Sequence, residues 1–467
     1  MAGRPAVHAA RTRLARVSEP LRITVIGTGY LGATHAAAMA ESGYDVLGID
    51  VDAEKIAALA RGEVPFYEPG LSELLESNVS AGRLRFTTDF AEAADFGDLH
   101  FIGVGTPQHP RTNAADLSQI DAAIGSLAPR LTRPCTVIGK STVPVGTAAN
   151  VRERLQELAP AGADVDLVWN PEFLREGFAV ADTLTPDRIV IGVADPSGPG
   201  EPPSRDEEVM RQVYAPMIEW GSPFLVMDYA TSELVKVAAN SFLATKISFI
   251  NAMAEVCEAT GADVTRLAEA IGYDERIGSK FLRAGIGFGG GCLPKDIRAF
   301  MARAGELGVS DALGFLRDVD GINTRRRAST VALARELVGG RFVGSRIAVL
   351  GAAFKPDSDD VRDSPALDIA AAIYIAGGDV VVHDPQAMAN ARAAYPKMAY
   401  AADVREALSG ADLVLVLTEW REYTDLDPTT VVDLPTTPSV LDGRNCLDIA
   451  RWRSAGWTYR GLGRPNA

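Results

Sequence analysis

The chain has few of the residues that build disulfide frameworks and metal centres. Four cysteines (135, 257, 292, 446) and five histidines are scattered through 467 residues. None of them forms a C-x-x-C or an H-x-x-x-H pair. That excludes a disulfide-stapled fold, argues against a zinc site, and fits free thiols in a cytoplasmic protein. No apolar run reaches the roughly 18 residues needed to cross a bilayer. Positive charge is also in deficit, with 46 Lys and Arg against 61 Asp and Glu for a net −15. A chain of that sign repels nucleic-acid backbones and anionic lipid, so neither nucleic acid nor a membrane is expected as a partner. An anionic ligand must then be held by a few local cations or by helix N-termini. Residues 1–20 are an exception, with Arg4, Arg11, Arg13 and Arg16 against Glu19. They lack the apolar core of a secretory signal, and they read as a disordered tail or the product of an upstream start codon rather than a transit peptide.

At about 150 residues per domain the length suggests two or three domains. Short β-branched runs alternate with helical patterns from Leu21 onward: Ile23–Ile26, Asp45–Asp50, Leu84–Thr88, Leu99–Val104, Thr136–Lys140, Asp166–Trp169, Arg188–Val193 and Phe224–Met227. A helical stretch over His35–Ser42 separates the first two. That alternation predicts a mostly parallel, doubly wound sheet. Thr231–Ala259 is then one uninterrupted helical pattern, capped by Thr231 or Ser232, with Glu233 suited to its positive end and Gly261 as its stop. About 28 residues span roughly 40 Å, enough to bridge two domains. Strands return at Arg346–Leu350, Asp379–His383 and Asp412–Leu417. The expected class is therefore α/β: two Rossmann-like doubly wound domains joined by a central helical domain with one long helix. The boundaries are a tail at 1–20, a first α/β domain at 21–228, a helical domain at 229–340 and a second α/β domain at 341–467.

Gly27-Thr28-Gly29-Tyr30-Leu31-Gly32 is a G-x-G-x-x-G loop after a strand and before a helix, with Asp50 at the end of the next strand. The first glycine makes the turn, the second admits a pyrophosphate, and the third packs helix on strand. Asp50 can bond a ribose 2′-hydroxyl and would repel a 2′-phosphate, which favours NAD over NADP. On the long helix, Lys236 and Asn240 stand four apart and share a face; spacing alone makes Lys236 a snorkelling surface lysine. Gly285 to Asp296 holds five glycines in seven residues before Cys292, then Lys295 and Asp296. Such a loop offers backbone N–H groups to a ligand and room around a thiol. A cation and a helix start beside Cys292 would lower its pKa and make it a nucleophile. Cys135, Cys257 and Cys446 read as structural.

These motifs occur in a fixed order together with Phe66–Gly70, Gly105–Gln108, Lys140–Thr147, Asn170–Gly177, Pro186–Gly192, Phe354–Asp357, Val361–Pro365 and Asp442–Asn445. From about Leu21 to about residue 460 the chain resembles the UDP-glucose/GDP-mannose dehydrogenase family. Gly291, where the family most often has Ser, and the basic N-terminal extension depart from the pattern. The resemblance implies NAD-dependent four-electron oxidation of UDP-glucose to UDP-glucuronate through a Cys-linked thiohemiacetal and thioester, in a homodimer or higher homo-oligomer.

It also implies residue roles. Gly27, Gly29, Tyr30, Leu31, Gly32, Asp50, Lys55 and Thr106 would line NAD, with Thr142 and Glu176 near the nicotinamide and Lys295 and Arg362 reaching the cofactor. Glu172, Phe173, Leu174, Arg175, Glu176, Lys236, Asn240, Phe281, Leu282, Arg283, Ala284, Gly285, Gly289, Lys355 and Arg444 would hold the sugar nucleotide, and Arg276 would reach it from a neighbouring subunit. Cys292 would be the nucleophile. Lys236, Asn240 and Asp296 would manage charge and protons, Glu172 would assist thioester hydrolysis, and Thr142 would complete the catalytic set. Lys355 and Arg444 are candidate cations for the diphosphate.

Three alternatives remain open. Another sugar nucleotide, GDP-mannose or a UDP-N-acetylhexosamine, would use the same chemistry. A β-hydroxyacid dehydrogenase would need neither the thiol nor the second α/β domain. A non-catalytic NAD sensor would not need Lys236, Asn240 and Cys292 together.

Overall fold

The computed structural model describes residues 21–109 and 111–465; the basic tail expected over 1–20 lies outside them. Two sheets carry the architecture. The first contains β1 (Arg22–Ile26), β2 (Asp45–Ile49), β3 (Leu84–Thr87), β4 (Leu99–Ile102), β5 (Cys135–Gly139), β6 (Val165–Trp169), β7 (Ile189–Val193) and β8 (Phe224–Asp228). Its spatial order is β3-β2-β1-β4-β5-β6-β7-β8, and every pairing is parallel except β6 with β7. The second contains β9 (Arg346–Leu350), β10 (Asp379–His383), β11 (Ala399–Tyr400), β12 (Leu413–Val416), β13 (Ser439–Asp442) and β14 (Thr458–Gly461), in the order β11-β10-β9-β12-β13-β14. Strands such as Cys135–Gly139 and Ile189–Val193 are buried at every position, because helices cover both faces of a parallel sheet. The strand order reverses between β1 and β4 in one sheet and between β9 and β12 in the other. A doubly wound fold opens its ligand crevice at the carboxyl ends of those strands.

Between the sheets runs a 32-residue helix, Tyr229–Thr260, about 48 Å long at 1.5 Å per residue. Two further helices, Leu293–Glu306 and Phe315–Leu337, pack along it. Gly261 ends it in the left-handed conformation, φ 75°, as its lack of a Cβ allows. Its start differs from the expected cap. Asp228, not Thr231 or Ser232, is the N-cap, its carboxylate accepting the Thr231 N–H at 2.8 Å. The first helix likewise starts at Tyr30 rather than His35, because the last turn of the glycine loop is already helical.

Glu233 does not serve the dipole of its own helix. Its buried carboxylate accepts the N–H groups of Gly146 (2.7 Å) and Ala148 (2.6 Å), at the start of the neighbouring Thr147–Leu158 helix. It thereby ties the long helix to the first α/β unit through two charge-assisted bonds. Glu233→Ala is expected to lower unfolding stability in urea by about 1–3 kcal/mol, since two buried N–H groups lose their acceptor. An unchanged midpoint would contradict this.

Candidate active site

The first crevice is a cavity of about 560 Å³ at the carboxyl ends of β1, β2 and β4, bordered by Gly27, Gly29, Asp50, Lys55 and Val104. Gly27 has φ +88°, and a Cβ there would lie 2.9 Å from Val104, whereas one at Gly29 would meet nothing within 4 Å. The loop is thus closed behind and open in front, as a pyrophosphate cradle requires. Asp50 accepts the Thr28 N–H at 2.9 Å and the Lys55 ammonium at 3.0 Å. Burial pushes the Asp50 carboxyl up, but Lys55 and the N–H groups of Asp52 and Thr28 outweigh it and hold the pKa below the usual value. An ionised Asp50 at this place fits a free ribose hydroxyl. Leu31 and Gly32 lie in the first turn of the following helix, and the Thr106 hydroxyl donates to the Thr142 carbonyl at 2.8 Å.

At the junction of the first sheet and the helices, side chains from three segments converge. The Lys236 ammonium, buried on the long helix, meets Glu172 at 3.0 Å. Burial pulls the Lys236 pKa down, but the Glu172 and Asp296 carboxylates lift it above the ordinary lysine value. The snorkelling placement read from spacing is therefore wrong: the partner carboxylate comes from a segment more than sixty residues upstream. One turn further along, the Asn240 amide donates to Asp296 at 2.7 Å, and Lys295 meets the other oxygen of Asp296 at 2.7 Å. Thr142 borders a small cleft with Lys295 and Asp296.

Cys292 is the N-cap of the Leu293–Glu306 helix and is open to solvent. Its environment reverses the expected pKa shift. Although the residue reaches solvent, the surrounding protein desolvates its sulfur, and with the Asp296 and Glu172 carboxylates this pushes the thiol up to about 12, against the pull of Lys236. The resting group is a thiol, not a thiolate.

The five glycines of this loop answer mostly to protein neighbours. A Cβ at Gly289 would lie 2.2 Å from the Asp363 carbonyl, and one at Gly291 would lie 2.4 Å from the Arg362 guanidinium. The N–H groups of Gly285, Phe288 and Gly290 are bonded to Asn251, Asn323 and Arg362. Those three donors are already used, and the close approaches at Gly289 and Gly291 show that glycine there also lets the loop thread between the helices and the second sheet.

The segment after Glu172 links both sheets. Phe173 lies under the Arg188 guanidinium, 3.8 Å from ring centre to Cζ. The Leu174 N–H donates to Glu172, and Arg175 pairs with Asp182. Glu176 accepts the Ser358 hydroxyl at 2.9 Å and faces Arg362 at 3.4 Å, while Lys355 donates to its carbonyl. Burial and the nearby Asp360 raise Glu176 to about 7, against Arg362, Ser358 and Lys355. Glu68, which sequence reasoning passed over, clamps the same segment by accepting the N–H groups of Gly177 (2.6 Å) and Ala179 (2.7 Å). Tyr30 accepts the Gly177 N–H as well, at 2.9 Å.

A second cavity, about 250 Å³, lies between the helices and the second sheet, bordered by Phe281, Arg283, Gly285, Gly289, Lys355 and Arg444. Arg444 follows β13 and donates to the carbonyls of Leu417, Gly287 and Phe354 at 2.7, 3.1 and 3.0 Å. It thus fixes the glycine loop to the second sheet. Leu282 turns into an apolar cluster with Ile250 and Cys257, and Ala284 joins that cluster while bordering the cavity. Arg276 stands apart: it is exposed and paired with Asp274 at 2.6 Å. Cys135 and Cys257 are buried and Cys446 is half-buried beside Asp442.

A glycine cradle with an ionised acid, a thiol ringed by Lys, Asn and two carboxylates, and a second crevice supplied with cations define an NAD-dependent dehydrogenase. Three family models match in sequence: the NAD binding domain of the UDP-glucose/GDP-mannose dehydrogenase family over residues 21–218, its central domain over 230–325, and its UDP binding domain over 348–449. The chain belongs to this UDP-glucose/GDP-mannose dehydrogenase family. It is 43% identical over 446 residues to a UDP-glucose 6-dehydrogenase of Rhizobium meliloti, covering 96% of this chain and 100% of the relative. Among solved structures it is similar to a UDP-glucose dehydrogenase from Pyrobaculum islandicum, with TM-score 0.87, 37% identity, and coverage of 97% of this chain and 100% of that one. It is also similar to a UDP-D-ManNAc dehydrogenase from Pyrococcus horikoshii, with TM-score 0.82, 26% identity, and coverage of 96% and 100%. No helix among the described residues is long and apolar enough to cross a membrane.

The raised thiol pKa has a direct readout. The alkylation rate of Cys292 by iodoacetamide, followed by peptide mass spectrometry on the free protein, should climb about tenfold per pH unit through pH 7 to 9, because the thiolate fraction sets the rate. Glu172→Gln and Asp296→Asn should each speed it at a given pH. A plateau below pH 8 in the unsubstituted protein would contradict the assignment.

Proposed function

We propose that the chain oxidises UDP-glucose to UDP-glucuronate with two NAD per sugar. The observation that carries this reading is the Lys236–Glu172 ion pair beside Cys292, backed by Asn240–Asp296. Relatives named UDP-glucose 6-dehydrogenase at about 40% identity support the choice of sugar. NAD, when bound, accepts a hydride, and it does so at both oxidation steps.

An alcohol becomes a carboxylate by losing four electrons, so an aldehyde forms midway and must not escape. Cys292 retains it. The thiol S–H adds across the carbonyl, a C–S bond forms, and the proton ends on oxygen as a thiohemiacetal. A resting thiol suits that addition, since no free thiolate has to be maintained. Lys236 has one N–H committed to Glu172 and two left to face the developing oxyanion, which the Asn240 amide also faces. Loss of a second hydride and a proton leaves a thioester on Cys292. Glu172 then orients a water for hydrolysis, with Thr142 and Asp296 beside the reacting carbon. Tyr30, Lys55, Thr106, Glu176, Lys295 and Arg362 serve the cofactor side. Lys355 and Arg444 supply the local positive charge that a diphosphate needs on a chain of net −15.

The same reading divides the chain at 21–228, 229–340 and 341–467, and places it in the cytoplasm as a homodimer or larger homo-oligomer. Phe242, Phe249 and Val256 are exposed at seven-residue intervals on the long helix. They form an apolar stripe that a second copy would cover. Arg276, solvent-exposed in one subunit, would then reach its neighbour's sugar site.

Three measurements follow. With limiting UDP-glucose, the protein should release two NADH per sugar, and GDP-mannose should give far less. Cys292→Ala should bind both ligands yet lose several orders of magnitude in acid formation, up to about 10⁶-fold for an essential nucleophile, whereas Cys135→Ala, Cys257→Ala and Cys446→Ala keep most activity. A ratio of one NADH per sugar would contradict the chemistry. Mixing Arg276→Ala with Cys292→Ala subunits should restore part of the activity in hybrids, and no recovery in hybrids shown to form would count against a shared site.

A further inference from the structure

Behind Glu172 lies a buried lysine that the proposed chemistry leaves unused. Lys140 directly follows β5 and Asn170 directly follows β6, on neighbouring parallel strands. Both are buried. The Lys140 ammonium donates to the Asn170 side-chain carbonyl at 3.0 Å and to the Tyr214 hydroxyl at 3.4 Å. Tyr214 donates to the same Asn170 oxygen at 2.6 Å, and the Asn170 amide donates to the Val190 carbonyl at 2.8 Å. These hydrogen-bond partners are neutral. Burying an ammonium against neutral partners is costly, and natural folds keep such groups mainly where they act. Burial lowers Lys140 to about 8, while Glu172 pulls it up and Lys236 pushes it down, so the group is still cationic at neutral pH. Lys140, Asn170 and Glu172 border one cavity of about 60 Å³. Asn170 is two residues from Glu172, at the root of the segment that carries it.

We propose that Lys140 is a positioning residue for thioester hydrolysis: it locks Asn170, and through Asn170 and its own charge it keeps the Glu172 carboxylate aimed. This rests on the reading of Glu172 as the group that orients water. In that step a water oxygen bonds to the acyl carbon and the C–S bond breaks. One water proton returns to the Cys292 sulfur, the other leaves with the acid, and no electrons are exchanged.

Stopped-flow NADH formation with UDP-glucose and NAD tests this in the full-length protein. Lys140→Met should give a rapid burst of about two NADH per site, followed by a steady rate about 10- to 100-fold below the unsubstituted enzyme, the usual range for removal of a supporting partner. KM for both substrates should stay within about threefold. A merely structural role would shrink burst and steady rate together. Tyr214→Phe, which removes one oxygen from the same network, should show a smaller effect of the same kind and decides the matter if Lys140→Met does not fold. Glu172→Gln is the control. If it bursts while Lys140→Met and Tyr214→Phe keep the unsubstituted ratio of burst to steady rate, this inference is wrong alone. If Glu172→Gln shows no burst, the underlying role of Glu172 is wrong.

Discussion

The ion pair between Lys236 and Glu172 is the contact on which the rest of the site depends. It joins the long helix to the segment after β6. That segment is held from one side by Glu68 and from the other by Lys355, Ser358 and Arg362 of the second sheet's unit. All three parts of the chain therefore close on residues 172–177. Removing one partner of a buried pair leaves an uncompensated charge, at a cost of about 3–5 kcal/mol. Such a pair persists because both its members are needed where they stand.

The charge arrangement around Cys292 follows from the same constraint. A thiolate among Glu172, Asp296 and Glu176 would be repelled, and the Lys236 ammonium that would favour it is already shared with Glu172. The free protein therefore keeps the Cys292 sulfur protonated. Two of these carboxylates, Glu172 and Asp296, raise Lys236 above its ordinary value, which keeps that ammonium charged through the whole physiological range. Reactivity at sulfur and positive charge at nitrogen are set by one group of acids.

The doubly wound sheets could be read from strand-length apolar runs, and the NAD cradle from Gly27–Gly32 with Asp50, because each signal is local. β11, β13 and β14 escaped: Ala399–Tyr400 is only two residues, and Ser439–Asp442 and Thr458–Gly461 have polar residues or glycine at both ends, so neither reads as an apolar run. Burial of Lys236 could not be foreseen, since periodicity cannot show a carboxylate arriving from another element. The loop before Cys292 stands out in the sequence by its glycines, but one reason for them is not local. Its glycines make room for Asp363 and Arg362, long-range neighbours invisible in the sequence. The expected thiolate failed similarly, because Lys295 next door in sequence spends its charge on Asp296, and the field at sulfur is that of the acids. From sequence, Glu233 is expected to serve its own helix and Glu68 has no role beyond its motif, because the two backbone N–H groups each accepts come from distant segments.

The central claim is that Cys292 carries the sugar covalently from the aldehyde stage, through the second oxidation, until hydrolysis. Acid-quenching the protein during turnover of UDP-glucose and NAD, then measuring intact and peptide masses, tests it most directly. The account predicts a UDP-glucuronyl acyl group on the Cys292 peptide alone, absent when NAD is omitted and absent in Cys292→Ala. An unmodified Cys292 in a protein that still makes UDP-glucuronate, or an acyl group on any other residue, would contradict it.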